Sequence, residues 1–181
     1  RQSAAQTAMT FALGGIGFWA AEYLHSRGQP ASATQTFGAL VAGTGLTATL
    51  SGGWLGDRLR AKIPGSYFLV SGVGMVLACP FFILMLYTPF PRAWWYMGAA
   101  VFLLFLNTGP SNTALVNVAL PKVRATAFAL NILIIHALGD VLAFPTLGYI
   151  AGHPTWSVAF LFVSPIMLLS GILWLAPLKL R

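Results

Sequence analysis

Apolar residues run along this chain in long blocks, without the strict alternation with polar residues that marks a half-buried strand. Six blocks stand out, at roughly residues 4–24, 36–55, 66–87, 94–118, 125–144 and 157–177. About 20 apolar residues in a helix cross a ~30 Å hydrocarbon core, so each block predicts one spanning α-helix. The separators carry turn residues: Ser26-Arg27-Gly28-Gln29-Pro30, Thr88-Pro89-Phe90-Pro91 and Gly152-His153-Pro154. Trp54 closes the second block, and Trp94, Trp95 and Tyr96 open the fourth. Aromatics at block ends suit a membrane interface, where an apolar ring meets a wet edge.

Composition supports a bilayer. Apolar residues make up 57% of the 181 residues and charged residues 7%, against about 25% charged in a soluble domain. A water-facing surface cannot be built from so few charges. The net charge of +7 is therefore read as loops beside anionic headgroups, not as a nucleic-acid footprint. Placing Arg1 in the cytoplasm puts Arg58, Arg60, Lys62, Lys122, Arg124, Lys179 and Arg181 on the same side, with Arg27 and Arg92 opposite. That asymmetry predicts both ends of this chain on the cytoplasmic side of a bacterial inner (plasma) membrane. Cys79 is the single cysteine, so neither an internal disulfide nor a cysteine metal site is expected. No secretory signal peptide is expected at the first block, and no metal or cofactor is expected.

Against this apolar background the polar residues within blocks are informative. His136 and Asp140 are spaced to share one face of the fifth helix. Ionisable groups at membrane depth are expensive and are commonly functional. Histidine changes charge near neutral pH, and a neighbouring carboxylate biases that change. The pair is expected to form a proton or headgroup site, or else a self-satisfied pair that shapes a gate. In the fourth block Asn107, Thr108, Ser111, Asn112, Thr113 and Asn117 place amides and hydroxyls on several faces, which lipid would penalise. That helix is expected to face protein and a wet cavity. Thr7, Thr10, Gly14 and Gly17 form a small, polar stripe on the first helix, a second candidate wall. Glu22 is read as an exposed acid at the outer end of that helix and Asn131 as structural. Pro110 and Pro165 interrupt the fourth and sixth blocks, as in helices that kink.

The segment Gly53-Trp-Leu-Gly-Asp57-Arg58-Leu-Arg60-Ala-Lys62 reads as a tight loop in which an acid is followed by alternating bases. A carboxylate beside arginines can latch a gate and release it when helices rock. Gly53-Trp-Leu-Gly56 and Gly148-Tyr-Ile-Ala151 share a pattern of residue classes three spans apart, as expected for a 3+3 inverted repeat.

That loop resembles the signature of the major facilitator superfamily, departing from it at Arg60, where the signature has glycine. Asn107-Thr-Gly-Pro-Ser-Asn-Thr-Ala114, Arg124-Ala-Thr-Ala-Phe-Ala-Leu-Asn131, His136-Ala-Leu-Gly-Asp140 and Thr7-Ala-Met-Thr-Phe-Ala-Leu-Gly-Gly15 are similar to the Spinster family within it. The resemblance covers nearly the whole chain and only the second half of such a transporter. It implies an all-α membrane fold, a six-transmembrane-helix bundle that is the C-terminal half of a twelve-helix fold, with the N-terminal bundle absent or on another chain. It further implies proton-coupled export of a lysophospholipid- or sphingoid-like amphiphile by alternating access. His136, Asp140, Asn107, Ser111, Asn112, Thr7 and Thr10 are then the candidates for substrate or proton binding. Gly53, Asp57, Arg58, Arg60 and Arg124 are the candidates for the cytoplasmic gate. The expected partners are membrane lipids, the amphiphile, protons and the missing bundle. The alternatives are export of a small organic solute or drug, or a membrane protein that transports nothing. An enzyme is not expected: no phosphate loop, nucleophile elbow or metal-ligand cluster is present in the sequence. No filter sequence or charged pore stripe suggests a channel.

Overall fold

The computed structural model describes residues 2–152 and 155–176. Arg1, Lys179 and Arg181, His153 and Pro154 of the third separator, and the end of the sixth block at Pro177 lie outside the described residues. The described residues are helical with short connections and include no β-strand. The helices are α1 (Gln2–Ser26), α2 (Ser32–Arg60), α3 (Ser66–Tyr87), α4 (Ala93–Phe105), α5 (Thr108–Val118), α6 (Arg124–Ile135), α7 (Val141–Ala151), α8 (Trp156–Leu161) and α9 (Val163–Leu175). A 3₁₀ turn, Pro121–Val123, precedes α6, and a π-helical turn, His136–Asp140, joins α6 to α7.

These pieces make six runs, one for each apolar block. Four are long and apolar enough, by length and composition, to cross a membrane: Ser66–Tyr87, Ala93–Val118, Pro121–Ala151 and Trp156–Leu175. α1 and α2 match them in length but are diluted by glycine, serine, threonine and glutamine. The reason is positional, since both helices line clefts described below. The second and fifth runs are longer than the apolar blocks that announced them, reaching Arg60 and Ala151.

Two breaks follow prolines. Pro110 has no N–H to bond a carbonyl four residues back, which is that of Leu106, and the helix opens at Leu106–Asn107. Pro165 does the same one turn after Leu161, where α8 gives way to α9. The freed end of α4 is used in packing. A Cβ on Gly52 would collide with the Leu106 carbonyl, and one on Gly109 would lie 2.7 Å from the Thr49 carbonyl. Glycine therefore lets α2 meet the broken run backbone to backbone.

α3 is the centre of the bundle, packed on α9, α4, α2 and α5. α1 packs on α9, on α6 and α7, and on the π turn between them. The core is built from Tyr23, Phe82, Phe160, Met75, Leu104 and Trp174, each almost fully buried. The run α6–α7 lies at the edge. Leu133, Leu138 and Val141 are exposed there, as are Leu46, Leu50 and Trp54 on α2. Arg27 ties two connections together at the Glu22 end. It donates to the Tyr23 hydroxyl (2.7 Å), the Leu86 carbonyl (2.7 Å) and the Thr88 carbonyl (2.9 Å).

Candidate functional site

A cleft of about 430 Å³ opens between α1, the α4–α5 break and α6. Its polar lining comes from Gln6 and Thr10 of α1, Thr108, Ser111 and Asn112 of α5, and His136 and Asp140 of the π turn. Residues expected at the site from three different helices are thus brought to one place. His136 Nδ1 and Asp140 Oδ2 lie 2.5 Å apart. The π turn carries one extra residue relative to an α turn, and such turns recur at functional sites. Downstream, Pro145 removes the N–H that would bond the Val141 carbonyl.

The turn is held against α1 by two glycines. A Cβ on Gly139 would lie 2.9 Å from Thr10 Cβ, 3.0 Å from Phe11 N and 3.0 Å from the Thr7 carbonyl. A Cβ on Gly14 would collide with Asp140 Oδ1. The carboxylate therefore rests on bare backbone. Beside it, Asn131 is buried, accepting from Ser3 Oγ (2.8 Å) and donating to Gln6 Oε1 (2.9 Å). This matches its reading as a structural residue and orients the glutamine that enters the cleft.

Asn107 stands beneath the cleft, not on its wall. It is fully buried at the helix break and donates to Met9 Sδ (2.6 Å) and the Leu104 carbonyl (3.2 Å). Its Oδ1 has no partner. Thr10 turns its hydroxyl back to the Gln6 carbonyl at 2.8 Å. Thr7 does the same to Ser3 and is not part of the lining. Gly17 lines a second compartment of about 370 Å³ with Ile16, Phe37, Val41 and Val101. The two compartments share Leu13 and Phe105. One cleft sets ionisable, amide and hydroxyl side chains among apolar ones, and the other is almost wholly hydrocarbon.

At the opposite end of α2 the expected tight loop is absent. The helix continues through Gly53, Asp57 and Arg58 to Arg60, and the turn comes at residues 61–65. The glycines that suggested a loop serve packing instead: a Cβ on Gly56 would lie 2.7 Å from the Tyr67 ring. Asp57 accepts from the Tyr67 hydroxyl at 2.7 Å. Arg58 lies 5.2 Å from the Trp54 ring centre and Arg60 5.9 Å from that of Tyr67. Among the described residues the one ion pair is His136–Asp140, so Asp57 is latched to none of the described arginines. Arg124 opens α6 with its Nε buried and unpartnered.

Two curated relatives align over most of the chain. The probable sphingolipid transporter spinster homolog 3 of Arabidopsis thaliana is 28% identical over 170 residues, covering 91% of this chain and 32% of that protein. Protein spinster homolog 3 of Danio rerio is 32% identical over 151 residues, covering 74% of this chain and 30% of that one. The inward-facing, unoccupied crystal structure of a bacterial homolog to the human lysosomal transporter Spinster superposes with a TM-score of 0.70. That match has 19% identity and covers 97% of this chain and 44% of the other. The chain is Spinster-like, of the major facilitator superfamily. No protein-family model matches it.

The Spinster-like chain spans about a third of the length of the curated relatives it matches. It is an integral membrane protein with the fold of a half bundle. The Arabidopsis thaliana relative and the structural neighbour are transporters by name, not enzymes. The residues of the cleft that the sequence reading missed include Gln6, Met9, Phe105 and Ile135. Gln6 carried a signal, since a buried amide in an apolar helix needs partners. The other three look like any core residue.

Proposed function

We propose that this Spinster-like chain is one half of an alternating-access transporter that exports a lipid-like amphiphile, such as a lysophospholipid or sphingoid lipid, coupled to protons. The supporting observation is the joined pair of compartments. A cleft that carries His136, Asp140 and Asn112 among apolar side chains adjoins a hydrocarbon cleft across Leu13 and Phe105. A headgroup and a tail find separate, adjoining places there. The printed names of the plant relatives, sphingolipid transporters, point to the same chemistry.

In this reading His136 and Asp140 hold the proton or bind the headgroup, with Ser111, Asn112 and Thr10 as further polar contacts. Asn107 and Thr7 act from behind, Asn107 through Met9 and Thr7 by holding the α1 backbone against Gly139. The other half is a second six-helix bundle covering the exposed apolar faces of α2 and α6–α7. Asp57, Arg58, Arg60 and Arg124, with Gly53 beside them, would meet their gating partners on that bundle. The basic end would be cytoplasmic, in a bacterial inner membrane.

The test uses the full-length transporter in proteoliposomes with an imposed pH gradient. Efflux of a labelled lysophospholipid is followed with and without His136→Ala. Gradient-driven efflux that falls at least about tenfold in the variant is the expected result. Gradient-driven efflux untouched by the variant would remove His136 from the mechanism. No lipid movement in the wild type would favour a smaller organic solute.

A further inference from the structure

A third cleft neighbours the two compartments. A cleft of about 350 Å³ at the Glu22 end is lined by Glu22, His25, Ser26, Thr34 and Trp156. It shares Thr34 with the hydrocarbon compartment, which shares Leu13 and Phe105 with the polar one. The three therefore follow one another along α1. At about 1.5 Å per helical residue, Glu22 lies about 12 Å beyond Gly14, on which Asp140 rests.

The charges in this outer cleft are unevenly committed. The chain has three acids. Asp140 is paired with His136 and Asp57 with Tyr67. Among the described residues Glu22 has neither a hydrogen bond nor an ion pair. The neighbouring base is not available to it, because Arg27 is engaged by Tyr23, Leu86 and Thr88 and lies against the rings of Tyr23 and Phe90. What remains, among the described residues, is an exposed carboxylate without a protein partner on a cleft that the half-buried Trp156 also lines, with exposed hydroxyls and an imidazole around it. A carboxylate and an aromatic ring together favour an ammonium group.

We propose that Glu22 and Trp156 form a second station for a cationic headgroup, taken up by a single-chain ammonium amphiphile whose tail lies in the hydrocarbon compartment. The inference rests on the amphiphile reading above and adds the sign of the headgroup charge. An amphiphile leaving His136–Asp140 meets the next headgroup site without its tail leaving hydrocarbon.

The probe is hexyltrimethylammonium, with hexanol and hexyl sulfate as neutral and anionic controls. Binding to the full-length transporter in a neutral maltoside detergent is measured by titration calorimetry at about pH 8, where an ordinary imidazole is neutral. The wild type should prefer the ammonium probe. Glu22→Gln should weaken that probe about tenfold and leave hexanol unchanged, while Glu22→Asp should keep most of the affinity. Equal ammonium binding by wild type and Glu22→Gln would overturn the station. So would loss of ammonium binding on transfer to phosphatidylcholine nanodiscs, which would assign the site to bilayer headgroups. Lysophospholipid efflux from the same preparations separates the two readings. Efflux without ammonium preference removes the Glu22 station and keeps the transporter. Ammonium preference without efflux keeps the station and removes the transporter.

Discussion

Replacing Gly139 by alanine tests whether the π turn is locked onto α1. The added methyl would meet Thr10 Cβ at 2.9 Å, Phe11 N at 3.0 Å and the Thr7 carbonyl at 3.0 Å. Carbon contacts are comfortable at about 3.5–4.0 Å, so the two elements must part by roughly half an ångström or more. Two of the three obstacles are backbone, and no rotamer change relieves them. Overpacking of this kind costs about 1–3 kcal/mol. The better helix propensity of alanine offsets up to about 1 kcal/mol of that, leaving a net loss of up to about 2 kcal/mol. Gly17 is the internal control, since a methyl added there would have nothing within 4 Å. Gly17→Ala should stabilise by up to about 1 kcal/mol from propensity alone. Denaturant titration of the full-length transporter in mixed micelles should therefore separate the two variants by about 1–3 kcal/mol, the overpacking cost, since the propensity gain is common to both. Gly139→Ala should also depress lysophospholipid efflux, because His136 and Asp140 move with the turn. Equal stability of the two variants would refute the interlock.

Three further outcomes follow from contacts at other points. Arg27→Ala leaves the Leu86 and Thr88 carbonyls without their donor and should cost about 2–3 kcal/mol in the same titration. Lysine there should recover less than half, lacking the planar fork. A double-mutant cycle on Gln6→Ala and Asn131→Ala should show coupling of about 1 kcal/mol, since the two amides share a buried hydrogen bond. Tyr67→Phe should cost about 0.5–1.5 kcal/mol in the same titration, through loss of its bond to the exposed Asp57 carboxylate, and an unchanged stability would remove that bond from the account.

Much of the architecture was legible because a bilayer demands long apolar runs. The His136–Asp140 pair and the polar face of α5 were legible for the same reason: polar atoms stand out where lipid should be. The loop at Gly53–Lys62 was misread because glycine has two uses. It frees the backbone in turns, and it also lets helices touch, as Gly52 does at Leu106 and Gly56 at Tyr67. Near Asp57 the second use prevails, and only the packed neighbours show it. The π turn carried no local signal beyond Pro145, because its geometry is set by contact with α1. Met9 and Ile135 were invisible as lining residues, since in a membrane bundle core, lipid face and cleft wall share one apolar vocabulary.

The indoles of Trp19 and Trp156 stand 4.8 Å apart at 40°, and Trp19 Nε1 donates to the Phe144 carbonyl at 2.9 Å. Rings this close share their electronic transitions. Together they form an optical gauge built into the place where α1, α7 and α8 meet, and their coupled circular dichroism would fade when these helices part. Opening of the bundle at that corner can therefore be followed in unlabelled protein, with light alone.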